Sequence, residues 1–569
     1  MASTAEAQGA RAAAGFVPRR TPPLRLPRPN GLVLAAGAVA ALVLAPVLGL
    51  VVSAAAGSGG LWPHLARYVL PGAAAETALL LGGVGVAVTA VGTVTAWLVS
   101  AYHFPGRRVL SWALLLPLAM PTYIVAYAYV DVLHPLGPLQ SALRHLLDLP
   151  GPRGGLLPEV RSLGGCALLL GFVLYPYVYL NARAAFAMQS ADVLDAARTL
   201  GASGLVLFLR VAVPLAWPAV AVGVGLALME ALNDVGAAEF LGVETLTRAV
   251  YTTWVTRSSP EGAAQIALCL LGVVAALIAL ERAARRRANQ ASAGPAETTR
   301  RALGPGGGAL ALLVCAVPVL VGFGVPALHL AVAAWRRVAQ HGMPAELGGW
   351  IWHSTLYAGL ATAFAVCAGL LLAFTARVTR RTRPMRAACL GYAVPGTVLA
   401  AGLLVPLGLL DNALSDAVRA VFGVSVGLVL SSSGAALGAA YVVRFLAIPA
   451  GALEAGYAKL PRALDDAGCA FGAPGRRLLT RIHLPLLAPA LAAGGLLTFV
   501  DCMKELPATL LLRPLNTETL ATAVFGEASR GTYEDGAVAA LTIVLLGLLP
   551  VALLGLRRRP VRRGSPRAV

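Results

Sequence analysis

Long apolar stretches alternate with short polar, arginine-rich segments along almost the whole chain. Twelve of them are long enough to cross the roughly 30 Å hydrocarbon core of a bilayer as a helix. Glycine and proline interrupt many of them, which membrane helices tolerate because neighbouring helices can satisfy the freed backbone groups. The pattern predicts an all-α polytopic membrane protein with about 12 transmembrane helices, at residues 32–56, 75–100, 109–133, 164–187, 214–235, 263–281, 307–334, 351–376, 387–410, 427–448, 486–505 and 538–556.

Composition supports this class, because 58% of the 569 residues are hydrophobic and only 12% are charged. Soluble domains carry about 25% charged residues. The formal charge of +19 would suggest nucleic acid in a soluble protein, but here the arginines cluster in alternate loops between the apolar stretches. That distribution follows the positive-inside rule and predicts both termini in the cytoplasm, with no nucleic-acid partner. We therefore expect a multi-pass protein of the bacterial inner membrane.

The two halves of the chain repeat the same landmarks. Pro121 and Pro395 lie 274 positions apart, and Asp195 and Asp466 lie 271 apart. This spacing predicts two tandem six-helix repeats with a pathway between them. The predicted segments are a cytoplasmic tail (1–30), a first half (31–281, core from about 74), a cytoplasmic linker (282–303), a second half (304–557, core about 350–556) and a basic tail (558–569).

Two polar loops occupy matching positions in the repeats, DVLDAARTLGASGLVLFLRVAVPLAWP at 192–218 and ALDDAGCAFGAPGRRLLTRIHLPLLAP at 463–489. Each predicts a short helix, a glycine that ends it in the left-handed conformation, a second helix, and a proline that opens the next span. The small residues would leave one face of the short helix flat enough to dock on another protein. The matched positions are Asp195, Ala196, Ala197, Gly201 and Pro214 in the first loop and Asp466, Ala467, Gly468, Gly472 and Pro485 in the second.

These loops resemble the cytoplasmic "EAA" signature of binding-protein-dependent ABC importer permeases, although Asp replaces the usual Glu and Gly468 replaces the second Ala. The resemblance implies a MetI-like permease whose loops dock on a separate ATPase subunit, present in two copies, which hydrolyses ATP. It also implies an extracytoplasmic substrate-binding protein, and no cofactor or metal bound by this chain. The alternative is that the loops are ordinary amphipathic connectors.

Three further segments resemble the fused twelve-span ferric-iron permeases: YPYVYLNARAAF (175–186), YVVRFLAIPAGALEAGY (441–457) and KELPATLLLRPLNTETLAT (504–522). Ferric iron is the cargo that this resemblance implies. Fused thiamine permeases share the architecture, and polyamine and sulfate permeases share the loops, so these cargoes remain open. A secondary transporter driven by an ion gradient is the alternative from another class.

Charged residues lie at the ends of spans five and eleven, where intramembrane charge tends to face a cavity or a partner. One hypothesis is that they line the translocation path or its gate, and the other is that Lys504 and its acidic neighbours only fix helix packing. We expect Arg183 and Arg444 to extend to lipid headgroups, and the tyrosines of span three to pack. The candidate path residues are Glu230, Asn233, Asp234, Asp501, Lys504 and Glu505.

Sequence motifs for catalysis are absent. The chain contains no GxxxxGK[ST] phosphate-binding loop and no HExxH pair, and its seven cysteines are scattered singly. Nucleotide hydrolysis by that route and a zinc site are therefore not expected. The sequence predicts a transport subunit and disfavours a membrane enzyme.

Overall fold

The computed structural model describes residues 30–148, 157–189, 191–288, 300–472 and 475–556, and this part of the chain is almost entirely helical. Eleven of its helices are long and apolar enough to cross a membrane, or twelve if a bent pair counts as one span. The predicted all-α polytopic fold is confirmed. The tails and the middle of the predicted linker (289–299) lie outside the described residues.

The first half of the described chain contains six spans or broken spans and several short helices. It also contributes the two-residue strand β1 (Tyr102–His103), which pairs in parallel with β2 (Arg301–Ala302). Its helices are α1 (Asn30–Ala56), α2 (Leu61–Ala101), α3 (Arg107–Ala119), α4 (Thr122–Val132), α5 (Pro138–Leu146), α6 (Leu163–Met188), α7 (Ala191–Thr199), α8 (Gly204–Asn233), α9 (Val235–Leu241), α10 (Leu246–Val255) and α11 (Pro260–Ala288).

The second half follows the same order of elements. Each helix corresponds to the first-half helix whose number is lower by eleven. α11 extends to Ala288, past the start of the predicted linker at residue 282. The second-half helices are α12 (Pro305–His341), α13 (Leu347–Thr379), α14 (Arg383–Ala388), α15 (Gly396–Phe422), α16 (Val429–Ser432), α17 (Gly434–Ala458), α18 (Ala463–Ala470), α19 (Arg476–Met503), α20 (Pro507–Leu512), α21 (Leu520–Arg530) and α22 (Tyr533–Leu556).

The third span of each half is broken at a proline. The axes of α3 and α4 differ by 92°, so the predicted span at 109–133 is a bent pair of helices. Steric clash with a proline ring disfavours the helical conformation of the preceding residue. Met120 before Pro121 and Val394 before Pro395 are accordingly extended, with ψ of 119° and 123°.

The first helix of each half packs on the opposite half. α1 packs against α14 and α15, whereas α12 packs against α4 and α22. At the crossing of α1 and α15, a Cβ atom on Gly49 would meet the carbonyl of Gly402, and one on Gly402 would meet the carbonyl of Pro46. Small residues of this kind let membrane helices approach closely. The exchange of first helices therefore joins the two halves.

Both polar loops lie on one side of the molecule. Trp97, near the end of α2, packs on Phe208 in the first loop. The β1–β2 pair places the start of the second half on this same side. α12 then crosses the molecule and α13 returns, and Arg377 at its end pairs with Asp465 in the second loop. Both loops therefore lie on the same face of the molecule.

Candidate functional site

A small cavity of about 110 Å³ lies where the two halves meet. Its walls come from the breaks at Pro121 and Pro395, from α6 and α17, and from the ends of α8 and α19. All six candidate path residues lie on its wall, so the structure brings together side chains that are up to 275 positions apart in the sequence. Its polar and charged lining residues are Thr122, Tyr123, Tyr177, Glu230, Asn233, Asp234, Tyr392, Arg444, Asp501, Lys504 and Glu505.

Asp234 and Glu505 cap short helices at matching positions in the two halves. The Oδ1 atom of Asp234 accepts a hydrogen bond from the backbone N–H of Ala237 at 2.8 Å. The carboxylate of Glu505 accepts from the backbone N–H groups of Ala508 and Thr509, both at 3.1 Å. Such caps satisfy N–H groups that have no partner within the helix. These two carboxylates therefore hold α9 and α20 in place, whatever else they do in transport.

Hydrogen bonds cross from one half to the other at the cavity wall. Arg444 donates to the Oδ1 atom of Asn233 at 3.1 Å, and the backbone N–H of Gly396 donates to the same oxygen at 3.1 Å. Tyr392 donates to the Oε1 atom of Glu230 at 2.9 Å. These bonds fix the two halves against each other at the cavity.

Lys504 pairs with Asp501 at 2.7 Å, and both side chains are about a quarter exposed. This geometry agrees with the hypothesis that Lys504 fixes packing. Both groups also face the cavity, as the hypothesis of a path residue requires. The cavity wall carries four carboxylates against two basic side chains, so its formal charge is negative.

Arg444 lines the cavity, although we expected it to reach lipid headgroups. Its side chain is buried and bonded to Asn233, so that expectation is wrong. Its mid-span position in YVVRFL was a usable signal, since intramembrane charges usually face the protein interior. Arg183 also turns inward and donates to the carbonyl of Ser111 and to the hydroxyl of Tyr179.

Two tyrosines of span three pack against other helices, and the third lines the cavity. Tyr127 is buried and its hydroxyl donates to the carbonyl of Tyr533, and Tyr129 donates to the carbonyl of Val321 at 2.7 Å. These contacts agree with the expected packing role. Tyr123 is buried as well, but it lines the cavity.

The two polar loops form the predicted short helices, α7 and α18, and each ends at the expected glycine. Gly201 has φ of +88° and Gly472 has φ of +71°. Asp195 and Asp466, with Ala196 and Ala467, face outward. The outward face of each helix is therefore open to a partner.

Gly468, which stands in place of the second alanine of the signature, is closely packed. It is buried, and a Cβ atom there would lie 2.8 Å from the side chain of Ile482 and 2.9 Å from that of Leu478. Ala197 at the matching position of the first loop has more room and is half-buried. The second loop thus packs more closely on its own span.

Two large apolar side chains precede the glycines and are almost fully exposed, Leu200 by 88% and Phe471 by 90%. They lie 271 positions apart and so occupy equivalent places in the two loops. Sequence reasoning missed them, although each directly precedes a signature glycine. Exposed apolar side chains on a docking face are typical anchors for a protein partner.

Pro214 and Pro485 stand in the first turn of the regular α-helical part of their spans, which continues without a break from the earlier turns of α8 and α19. A π-helical turn precedes each of them, at Phe208–Ala212 and Leu479–His483. Proline in a helix removes one N–H and clashes with the carbonyl four residues earlier. The wider π-turn makes room for that carbonyl, so the helix continues through the proline. Similar turns precede Pro71 and Pro326.

No cluster of His, Cys, Asp or Glu with the geometry of a metal site occurs among the described residues. The cavity carboxylates point to separate partners, as the capping and cross-half hydrogen bonds require. Within the part of the chain that the structure describes, the cavity can attract a cation but has no ready-made set of ligands to retain one.

Comparison with known proteins agrees with this architecture. The family model of the binding-protein-dependent transport system inner membrane component matches residues 88–290. The Fe(3+)-transport system permease protein FbpB 2 of Haemophilus influenzae is 23% identical over 84% of this chain and 88% of its own length. A probable ABC transporter permease protein, y4fN of Sinorhizobium fredii, is 26% identical over 93% of this chain and 95% of its own.

A shorter relative matches about a third of the chain. The molybdenum transport system permease protein ModB of Escherichia coli is 30% identical over 32% of this chain, and the match covers 79% of ModB. Together with the helical fold and the duplicated signature loops, these matches identify the molecule. The chain belongs to the family of binding-protein-dependent transport system inner membrane components and is a multi-pass permease of an ABC importer in the inner membrane.

Proposed function

We propose that this permease imports ferric iron. The observation that carries the proposal is the similarity to the Fe(3+)-transport permease of Haemophilus influenzae, which extends over 84% of this chain and therefore over both halves. The negative formal charge of the cavity wall supports it. Four carboxylates against two basic groups attract a cation and repel an oxyanion.

Oxyanions are the second candidate cargo, because relatives named for molybdenum and sulfate transport match about a third of the chain. The basic side chains of Arg444 and Lys504 favour this reading. Both are already engaged, however, with Asn233 and Asp501 respectively. Thiamine and polyamines remain alternatives from the family resemblance alone.

We further propose that two copies of a separate ATPase dock on α7 and α18, and that a binding protein delivers the cargo from the other side. The exposed Leu200 and Phe471, on one face of the molecule, support the first part. ATP binding would draw the two loops together and shift the permease between its two states through differential affinity. In this scheme both termini lie in the cytoplasm, and the chain itself binds no cofactor. A secondary transporter would leave these paired surfaces without a use.

The test is uptake of radiolabelled ferric iron, with molybdate, sulfate and thiamine in parallel, in a deletion strain and in the same strain complemented with the gene. Loss of iron uptake alone, restored by complementation, is the expected result. Loss of another cargo, with iron uptake intact, would refute the iron assignment and leave the permease function standing. Uptake that persists after ATP depletion but stops when the ion gradient is removed would favour the secondary transporter.

A further inference from the structure

The base of the second loop contains a largely buried polar cluster that the cavity and the outward face of α18 do not explain. Arg377 at the end of α13 binds the Oδ2 atom of Asp465 in α18 at 2.7 Å. His483 in the π-turn of α19 binds the other oxygen of Asp465 at 3.0 Å. We name Arg377, Asp465 and His483 the loop hub.

Arg377 is the centre of the loop hub. Besides Asp465, its guanidinium donates to the carbonyls of Tyr457, Leu460 and Pro461, at 3.1–3.3 Å, where α17 ends. The side chain is 9% exposed. The positive-inside pattern counted Arg377 as a loop charge, but it is an internal tie between α13, α17 and α18. A guanidinium suits this place because its fork of donors is rigid and always charged.

His483 joins a fourth element to the hub. It is 1% exposed, and its Nδ1 atom lies 3.1 Å from the hydroxyl of Tyr457. The ring also packs edge-to-face on Phe374 of α13, with ring centroids 5.8 Å apart. Both nitrogens of the imidazole are therefore engaged, and the start of α19 is held to the short helix.

The first half has no such hub at the equivalent positions. Leu194, Ala212 and Phe186 stand 271 positions before Asp465, His483 and Tyr457, and all three are buried. Phe186 packs on Trp97 of α2, with ring centroids 5.2 Å apart. Besides these apolar contacts, which have no directional preference, the side chain of Gln189 donates a hydrogen bond to the carbonyl of Ala212 at 2.8 Å. That bond joins two neutral groups and is weaker than the charge-assisted bonds of the loop hub. Charge-assisted hydrogen bonds are directional and resist sliding.

We propose that the loop hub makes the second loop and the start of α19 move as one rigid body, so that motion of the ATPase is transmitted mainly through this loop. The three hub residues act as positioning residues, since none of them lies on the cavity wall or on the outward face of α18. The two halves are then unequal in coupling although their folds match. The inference rests on the proposed docking of the ATPase on α7 and α18.

The test uses the assembled transporter in proteoliposomes and measures cargo transported per ATP hydrolysed, ATPase affinity and apparent melting temperature. Asp465→Asn should lower the transport-to-hydrolysis ratio about fivefold, because coupling changes of this size follow from altered two-state elements. ATPase affinity should not change, since Asp465 faces inward. Leu194→Asn changes the matched position of the first loop. It should lower the melting temperature, but it should lower the transport-to-hydrolysis ratio less than Asp465→Asn does.

A triple variant separates positioning from stability. Arg377→Met with Asp465→Leu and His483→Ala copies the apolar character of the first half and leaves no unpaired buried charge. We expect a melting temperature above that of Asp465→Asn, because no charge is left unpaired, and a coupling ratio that stays low. A triple variant that recovers both its stability and its transport-to-hydrolysis ratio would overturn the proposal. Normal coupling in Asp465→Asn would overturn it as well. Absence of ATPase binding to the wild-type chain would instead refute the docking scheme on which it rests.

Discussion

Asn233 accepts a hydrogen bond from Arg444 at 3.1 Å, across the boundary between the two halves. The same Asn233 oxygen accepts from the backbone of Gly396, where the third span of the second half is broken. One amide oxygen thus joins the end of α8 to α17 and to the start of α15. This relationship ties the cavity wall to the packing of the halves.

Asn233→Ala should lower stability by about 1.5–3 kcal/mol, because a buried guanidinium loses its acceptor. The apparent melting temperature in detergent or nanodiscs measures this. Asn412→Ala, at an exposed position of α15, should change it little. Adding Arg444→Met to Asn233→Ala should recover part of the loss by removing the unpaired charge. Equal melting temperatures for Asn233→Ala and Asn412→Ala would contradict the structural link.

The cavity carboxylates can be tested apart from their capping role. Asn accepts a cap hydrogen bond nearly as well as Asp, and Gln retains an acceptor oxygen. Asp234→Asn with Glu505→Gln should therefore fold, yet lower cation uptake about tenfold if the negative charge serves the path. Radiolabelled iron uptake, normalised to membrane protein level, is the measurement. Normal transport by this variant would leave the two residues a structural role only.

The crossing of α1 and α15 predicts opposite effects for two glycines of one helix. Gly402→Ala places a methyl group 2.7 Å from the carbonyl carbon of Pro46. Pushing the helices apart should cost about 1–3 kcal/mol. Gly408→Ala meets nothing within 4 Å and should stabilise α15 by about 0.5–1 kcal/mol. The measurement is the melting temperature of each variant relative to the wild type. A shift of the same sign in both variants would argue against this packing.

Gly472 ends α18 with φ of +71°, and nothing crowds it. Gly472→Val should force about 1–2 kcal/mol of backbone strain and displace α18 without touching the membrane core. We expect uptake to fall while ATP hydrolysis continues. Gly423→Val is the matched control, since φ is +72° at that helix end on the opposite side of the molecule. Equal loss of uptake in both variants would point to folding rather than coupling.

Leu200 and Phe471 should contribute to ATPase affinity. Phe471→Ser and Leu200→Ser should each weaken binding about tenfold, which corresponds to one modest interface anchor. The melting temperatures of both variants should stay near that of the wild type, because Leu200 is 88% exposed and Phe471 is 90% exposed. Leu515→Ser, 94% exposed on the opposite side, should leave binding intact. Binding that is insensitive to both loop variants would remove them from the docking face.

The sequence by itself determined the elements of this protein. The lengths of the apolar stretches determined the spans, because a helix satisfies the hydrogen bonds of its own backbone inside a bilayer. The 271-residue repeat and the signature glycines predicted the paired loops, because only local conformation is needed to end α7 and α18.

The tertiary structure decided what depends on distant partners. Arg444 faces Asn233, 211 positions away, rather than lipid, and Arg377 ties three elements together rather than standing in a loop. Pro214 and Pro485 lie within helices because a π-turn accommodates them. Helix periodicity gives the order of side chains along one helix. It does not give the rotation of that helix against its neighbours, and that rotation decides which charges meet in the cavity.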